Sequence, residues 1–539
     1  MKITKSLVSL AAVGALLITS GTRSVAQEDR RPPLEDPPNA VKLSLDEALK
    51  RALENNLDLA IVKKDPQIAE WNITFQKAEF DPTLNANYTH NGAETQTILT
   101  DESGITPVTL YSSSSSWSDR VGAELLGKLH FGATYRAFTN WSWSGQDPTL
   151  GVNQSGFPFQ QTTDNDYKEY GIHFQLPLLR GFGKDVNEAN ILIAEHDLNI
   201  SHRELQRRAE LTIKAAEDFY WDLRAAREAQ RVAEQALQLS KDLFELNKKK
   251  VEVGTLAPIE ITQAEANVAS NVEGTIRAEQ AVRNAEDNLR RVMAIPEADP
   301  MWQVPIVPTE TPMSEEVTID QASAISIALE NRAEIANARE QIDSAKINEK
   351  AAHNGVKHQL DVFADVARNR FDQPQTTVTS VPGLPVTTSR TDFIYKEAPP
   401  WAVGLLYSYP IGNRAAKSTY AVAKINTEKA ETTLDSVTQD VRVDVRAAAR
   451  AVELGYERVV AGRKNVELQQ KKLDAEQKKF DNGMSTSFEV FTFQTDLRNA
   501  QLSLIQALLD YNKGLADLER AKGTLLQSKN LKLDEDAGR

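Results

Sequence analysis

Apolar and small residues recur at alternating three- and four-residue spacing over two stretches, Lys184 to Ile295 and Asn413 to Gln527. In the first, the seam runs through Ala209, Thr212, Ala216, Phe219, Leu223, Ala226, Gln230, Ala233, Leu237, Ser240, Phe244, Asn247 and Val251. That spacing predicts one very long coiled-coil helix. A second seam lies two residues further on, at Leu211, Ala225, Val232, Leu239, Leu246 and Val253. Most remaining positions, such as Glu210, Glu217, Arg224, Arg227, Arg231, Glu234 and Lys241, are charged and read as solvated faces. One seam makes a dimer, whereas two adjacent seams need a neighbour on each side. Helices of that kind close into a ring.

The second stretch keeps the register. Val445, Val452, Val459, Val466, Leu473 and Phe480 form its main seam, and Ala447, Leu454, Ala461, Leu468 and Ala475 the second. Phe480 stands three residues before Gly483, as Val251 stands three before Gly254. After each glycine a shorter arm returns, from Ile261 to Val292 and from Val490 to Ala521, with matching apolar spacing. The shared register establishes an internal duplication. Each long arm, at about 65 residues, extends on the order of 100 Å.

Ahead of each long arm the period changes. A helix capped by Ser44 or Asp46 carries Leu45, Ala48, Leu49, Ala52 and Leu53 on one face, and its Ala52-Leu53-Glu54-Asn55 recurs as Ala328-Leu329-Glu330-Asn331. Strand-like alternation follows in both halves. Leu84, Ala86 and Tyr88 alternate with polar residues, as do Leu129 through Trp143, Tyr170 through Leu176, Leu360 through Val366, and Trp401 through Tyr409. Runs such as Ser112 to Ser116 and Thr376 to Ser389 read as loops between strands. An apolar and aromatic face opposite a polar one is the signal of a transmembrane β-barrel, although a soluble sheet with one face on a core alternates identically. The chain offers two strands per half and two more around Val121 to Trp143, fewer than the roughly eight a single-chain barrel needs. Barrel and helices therefore demand the same thing, further copies of the chain.

Composition narrows the compartment. Lys2 and Lys5, the apolar run Leu7 to Ile18 and Ser24-Val25-Ala26 have the layout of a secretory signal, and that run is shorter than the ~20 residues of a membrane helix. With no cysteine, disulfides, thiolate metal sites, a cysteine nucleophile and a lipidated N-terminal cysteine are excluded. A net charge of -14 argues against a nucleic-acid partner. The expected organisation is a signal peptide (1–26), a proline-rich leader (27–43), a first repeat (44–295, strands about 82–178, tip near 254), a linker (296–317), a second repeat (318–527, strands about 359–410, tip near 483) and a polar tail (528–539).

With this duplicated order of helix, strands, long helix, glycine break and returning helix, the sequence resembles the TolC-like outer-membrane efflux proteins. The most specific residues are Pro177-Leu178-Leu179-Arg180-Gly181-Phe182-Gly183 and the two tips, Val253 to Glu260 and Asn482 to Val490. The resemblance implies an α+β membrane protein, a homotrimer whose duplicated coiled-coil hairpins form a twelve-helix α-barrel continuous with a shared transmembrane β-barrel in outer membrane lipid. It implies docking onto a periplasmic adaptor (membrane fusion) protein and an inner-membrane pump or secretion transporter. Val253, Gly254, Thr255, Glu260, Gly483, Met484 and Ser485 would then be adaptor-contact tips, and Glu489 would line the pore entrance. The position three residues after Glu489, acidic in such proteins, is Thr492 here.

Each tip residue has a local reading as well. Gly254 and Gly483 suit the positive φ that ends a helix, and Glu260 and Glu489 suit the positive end of a helix dipole. Enzyme readings find no footing: His353 and His358, or His196 and His202, share no helix face, and no phosphate loop, nucleophile elbow or dinucleotide fingerprint occurs. No cofactor or metal is expected. Two function classes remain, a passive outer-membrane conduit and a periplasmic coiled-coil structural or adaptor protein without a barrel.

Overall fold

A computed structural model describes residues 39–101, 108–152, 158–380, 385–395 and 399–533. The expected signal peptide, most of the leader and the end of the polar tail lie outside the described residues. The first half opens with β1 (Val41–Leu43) and α1 (Leu45–Asn55), where the Ser44 hydroxyl accepts the Glu47 N–H at 3.2 Å. Helices α2 (Leu57–Val62) and α3 (Asp65–Lys77) lead into four long strands, β2 (Thr83–Asp101), β3 (Val108–Lys128), β4 (Thr134–Val152) and β5 (Pro158–Pro177). A single turn, α4 (Lys184–Asn187), precedes the 64-residue α5 (Ala189–Glu252), and α6 (Ile259–Val292) returns. The linker carries β6 (Ile306–Pro308).

The second half repeats the order with α7 (Gln321–Asn331), α8 (Ala333–Val356), β7 (Gln359–Thr379), β8 (Thr387–Tyr395), β9 (Trp401–Ser408), the 68-residue α9 (Arg414–Asp481), α10 (Ser487–Lys522) and α11 (Leu525–Ser528). Helices α1 and α7 are each 11 residues long and end at the matched Asn55 and Asn331.

The main seams are where the packing is. In α5, Ala209, Thr212, Ala216, Leu223, Ser240 and Asn247 are buried and the other seam residues half-buried; in α9, Val445, Val452, Val459, Leu473 and Phe480 are buried. The second seams fare differently. Helix α5 lies between α3 and α8 near the sheet and between α6 and α10 toward the tips, so its second seam is covered down to Leu246. Helix α9 packs on α7, α8 and α10 and forms the edge of the chain. There Ala447, Leu454, Ala461, Leu468 and Ala475 stay exposed, Leu454 at 57% and Leu468 at 48%.

Three charged positions expected on a solvated face are buried: Glu210, Glu217 and Arg227. The linker covers Arg227, whereas Glu210 faces Arg332, Glu334 and Arg520 and Glu217 faces Lys529. Strands β1 and β6, from the leader and the linker, pair in parallel and bring Leu43 and Ile306, both fully buried, into the core, so the leader's last residues and the linker belong to the packed body. Two of the three buried charges, Arg227 and Glu217, have ion-pair partners. Arg227 lies 2.8 Å from Glu286 and donates to the Ile306 carbonyl at 2.7 Å, while Glu286 accepts the Ile306 N–H at 3.0 Å. Glu217 pairs with Lys529 at 2.8 Å.

All the long strands join one antiparallel sheet in the order β2-β3-β4-β5-β7, with β8 and β9 both on the far edge of β7. β9 pairs with Gln359–Val366 and β8 with Phe371–Thr379, so the two lie end to end in one lane and, among the described residues, the sheet has six lanes. Two strand expectations need correction. The strand expected from Leu129 begins at Thr134, because residues 129–133 form a tight turn in which Gly132, at φ +98°, donates its N–H to the Leu129 carbonyl at 2.7 Å. Apolar alternation runs on through that turn, which is why the pattern alone misplaces it. Ser112 to Ser116 belong to β3, paired with β2, and the run from Thr376 to Ser389 contains the end of β7 and the start of β8. Cross-strand pairing outweighs the weak strand preference of serine.

Candidate functional site

The hairpin tips are closed by the same device. Gly254 and Gly483 take φ +78° and +72°, which lets the next residue reach back: the Thr255 N–H donates to the Lys250 carbonyl at 2.8 Å, and the Met484 N–H to the Lys479 carbonyl at 2.9 Å. Val253, Gly254, Thr255, Gly483 and Met484 are exposed, and Ser485 and Glu260 half-buried. The fold brings the tips side by side. Ser487 donates its hydroxyl to Glu260. Lys250 donates to the Phe480 carbonyl at 3.0 Å, its ammonium 3.7 Å from the centre of the Phe480 ring.

Glu489 is exposed and already employed. Thr486 and Glu489 form a reciprocal capping box, the Glu489 N–H on the Thr486 hydroxyl and the Thr486 N–H on the Glu489 carboxylate, both at 3.3 Å. The Ser485 hydroxyl lies 2.8 Å from the same carboxylate and 2.6 Å from that of Glu476, and its one hydrogen is shared between them. The Ser485 hydroxyl, and then the Lys479 ammonium, hold the Glu476 carboxyl below the usual carboxylate range. Thr492 turns its hydroxyl onto the Phe488 carbonyl at 2.9 Å. Ile259 and Phe488, at the starts of α6 and α10, are exposed beside the tip residues. Both fall inside the two tip motifs and at matching offsets from the two glycines, yet neither is among the contact residues expected from the sequence.

The sheet separates its chemistry by face. One row, Leu84–Leu125–Ala137–Ile172–Val366–Trp401, crosses all six lanes in register. Its large side chains are exposed, as are Tyr88, Val121, Trp141, Tyr170, Val403 and Leu405 on the same face. On the opposite face the row Asn87–Gly122–Asn140–Glu169–Asn369 is polar apart from Gly122, which has no side chain, and His173 lies 2.5 Å from Asp365. Where the apolar band ends, the Trp141 indole donates to Asp166 at 2.8 Å and Lys168 lies 4.5 Å over its ring. An aromatic that is half apolar and half hydrogen-bonded suits a membrane–water boundary.

The stretch Pro177 to Gly183 turns strand into helix. The Leu178 N–H reaches the Leu360 carbonyl at 2.7 Å and Arg180 bonds Gln359 at 2.6 Å. Gly181 and Gly183 then bend the chain at φ +84° and +110°, and Asn187 donates to both their carbonyls, at 2.8 and 2.9 Å.

The family model for outer membrane efflux proteins matches residues 134–294 and 324–524. Among solved structures, the chain is similar to the CmeC outer membrane channel of Campylobacter jejuni, at 14% identity over 91% of this chain and 87% of that one, with a TM-score of 0.59. It is similar to the VceC outer membrane protein of Vibrio cholerae, at 14% identity over 89% and 96%, with a TM-score of 0.56. The MtrE outer membrane channel of Neisseria gonorrhoeae, in its open state, is 17% identical over 92% and 91%, with a TM-score of 0.55. A search of curated proteins finds no match.

Proposed function

We propose, from the premise that this chain belongs to the outer membrane efflux protein family, that three copies form a passive exit duct fed by partners in the periplasm and inner membrane. An outer-membrane efflux channel with a long periplasmic portion is what the family provides; the trimer, the partners and the working residues are our reading. The observation that carries it is the apolar row from Leu84 to Trp401, exposed across the whole sheet opposite a polar row. Lipid on one side and water on the other is the environment such a sheet needs. A periplasmic protein without a barrel has no use for that face, and this alternative is set aside.

The exposed seam of α9 supports a sister copy at the chain's edge. The repeats at 44–295 and 318–527 each contribute one hairpin. Val253, Gly254, Thr255 and Glu260 on one tip, and Gly483, Met484 and Ser485 on the other, present the contact surface for a periplasmic adaptor, with Ile259 and Phe488 as apolar anchors. The adaptor joins the duct to an inner-membrane pump, which supplies the energy. Around a threefold axis, three Glu489 carboxylates attract cations and repel one another, since capping leaves lone pairs free on each.

Cell fractionation tests the duct, with recovery expected in the outer membrane; recovery in the soluble periplasm alone eliminates it. In planar bilayers the purified protein should give ion-conducting pores, and Glu489→Gln should lower their preference for cations. Unchanged selectivity removes Glu489 from the entrance.

A further inference from the structure

Among the described residues, four helices run from the sheet toward the tips, and they pack in the order α3, α5, α8, α9. They connect to β2, β5, β7 and β9. Strands β3 and β4 have no helix beneath them, and their turn at 129–133 sits between the end of α3 and the start of α5. The turn is fastened on both sides. Toward α3, Lys128 donates to Glu79 at 2.6 Å and the His130 ring stacks on Phe80 at 4.3 Å. Toward α5, His130 lies 2.7 Å from Glu188 and the Gly183 N–H donates to the Phe131 carbonyl at 3.1 Å. A β-carbon on Gly132 would come within 2.2 Å of the Gly181 carbonyl oxygen, so the two backbones touch. This is a joint in the wall, and the apolar row crosses β2 and β3 as it crosses the other lanes.

The widths agree with that placement. Four helices spaced about 10 Å apart span an arc of about 40 Å. Six strands about 4.8 Å apart and tilted about 40° span about 38 Å, whereas four would span only about 25 Å. The edges agree too. β2 runs away from the helices and β9 toward them, so β9 of one copy meets β2 of the next antiparallel. That closure satisfies edge N–H and C=O groups that lipid cannot. The family match begins at Thr134, the first residue of β4, and leaves β2 and β3 outside it.

We infer, on the footing of the trimeric duct above, that every chain supplies six strands and that three chains close an eighteen-stranded barrel as wide as the helical tube beneath it. A barrel of that size has a backbone diameter on the order of 36 Å and holds an aqueous bore. The duct then crosses the membrane without narrowing, and its polar lining suits bulky hydrated solutes as well as small ones.

The chain has no cysteine, so introduced pairs report one contact at a time. Tyr88→Cys on β2 is combined in turn with Trp401→Cys, Val403→Cys and Leu405→Cys on β9, and Thr139→Cys on β4 takes the same partners. Oxidation in membranes should link copies through the Tyr88 variants and not through the Thr139 variants. Links from Thr139 with none from Tyr88 overturn the inference, because β4 would then be the edge of a twelve-stranded barrel. Where a variant misassembles, electron cryomicroscopy of the unaltered protein in nanodiscs counts the strands directly: eighteen are expected, and twelve overturn the inference while leaving the duct intact. A protein that forms no membrane-embedded oligomer sinks the duct reading itself, and this inference with it.

Discussion

Glu210 sits at a helix position that spacing marks as charged and solvated, and the fold buries it. Burial pushes its carboxyl up to about 7, with Glu334 adding to the rise and Arg332 and Arg520 opposing it. Because the folded value lies above the ordinary 4.5, folding takes up a proton between those two values. The contribution to stability is complete below pH ~4.5 and is lost as pH rises through ~7, on the order of 3 kcal/mol per chain. Glu210→Gln should flatten this dependence: its melting temperature should exceed the wild type's at pH 8 and converge with it near pH 4.5. The tip glycines are a contrasting case. Nothing lies within 4 Å of a β-carbon at Gly254 or Gly483, so alanine there acts through the backbone alone. Gly483→Ala should cost about 1–2 kcal/mol locally, read as faster hydrogen exchange at the tip amides with exchange in the sheet unchanged. The glycines were legible in the sequence because positive φ is a local need. The state of Glu210 was not, because residues more than a hundred positions away decide its burial.

Among the elements, α9 carries the clearest consequence. Its main seam is buried against its own chain and its second seam is bare. Leu454→Asp with Leu468→Asp leaves the buried seam untouched, so the variant should keep its helical circular dichroism while native mass spectrometry shows monomers replacing the oligomer. Helicity lost together with assembly would mean that the exposed leucines support the helix itself. The two long helices were readable because a 3-4 repeat sustained from Ala209 to Val251, and again from Val445 to Phe480, suits a supercoiled helix. Which of two equivalent seams is covered within the chain was not readable, since α5 and α9 differ in their neighbours and not in their pattern. The turn at 129–133 shows the same limit in the sheet. Alternation persists through it, and only its bonds to Glu79, Glu188 and Gly183 reveal a corner.

For the molecule as a whole, the apolar row on the sheet decides where the protein resides. Ile172→Arg or Val403→Arg places a charge on that face and should cost about 2–4 kcal/mol near the bilayer midplane. Less folded protein should then be recovered from outer membranes, measured by heat-modifiable migration. Asn369→Arg, on the polar face, should be recovered normally. By itself the sequence determined the duplication, the two long hairpins with their glycine tips and the alternating strands. All of these are periodicities or turn preferences set by residues a few positions apart. Only the tertiary structure decided that six lanes form one sheet, that the leader and linker close over α5, and that the two tips touch. Each of those depends on partners far apart in the chain, as Ile172 and Val366 are, and backbone pairing leaves no mark in the periodicity of either strand.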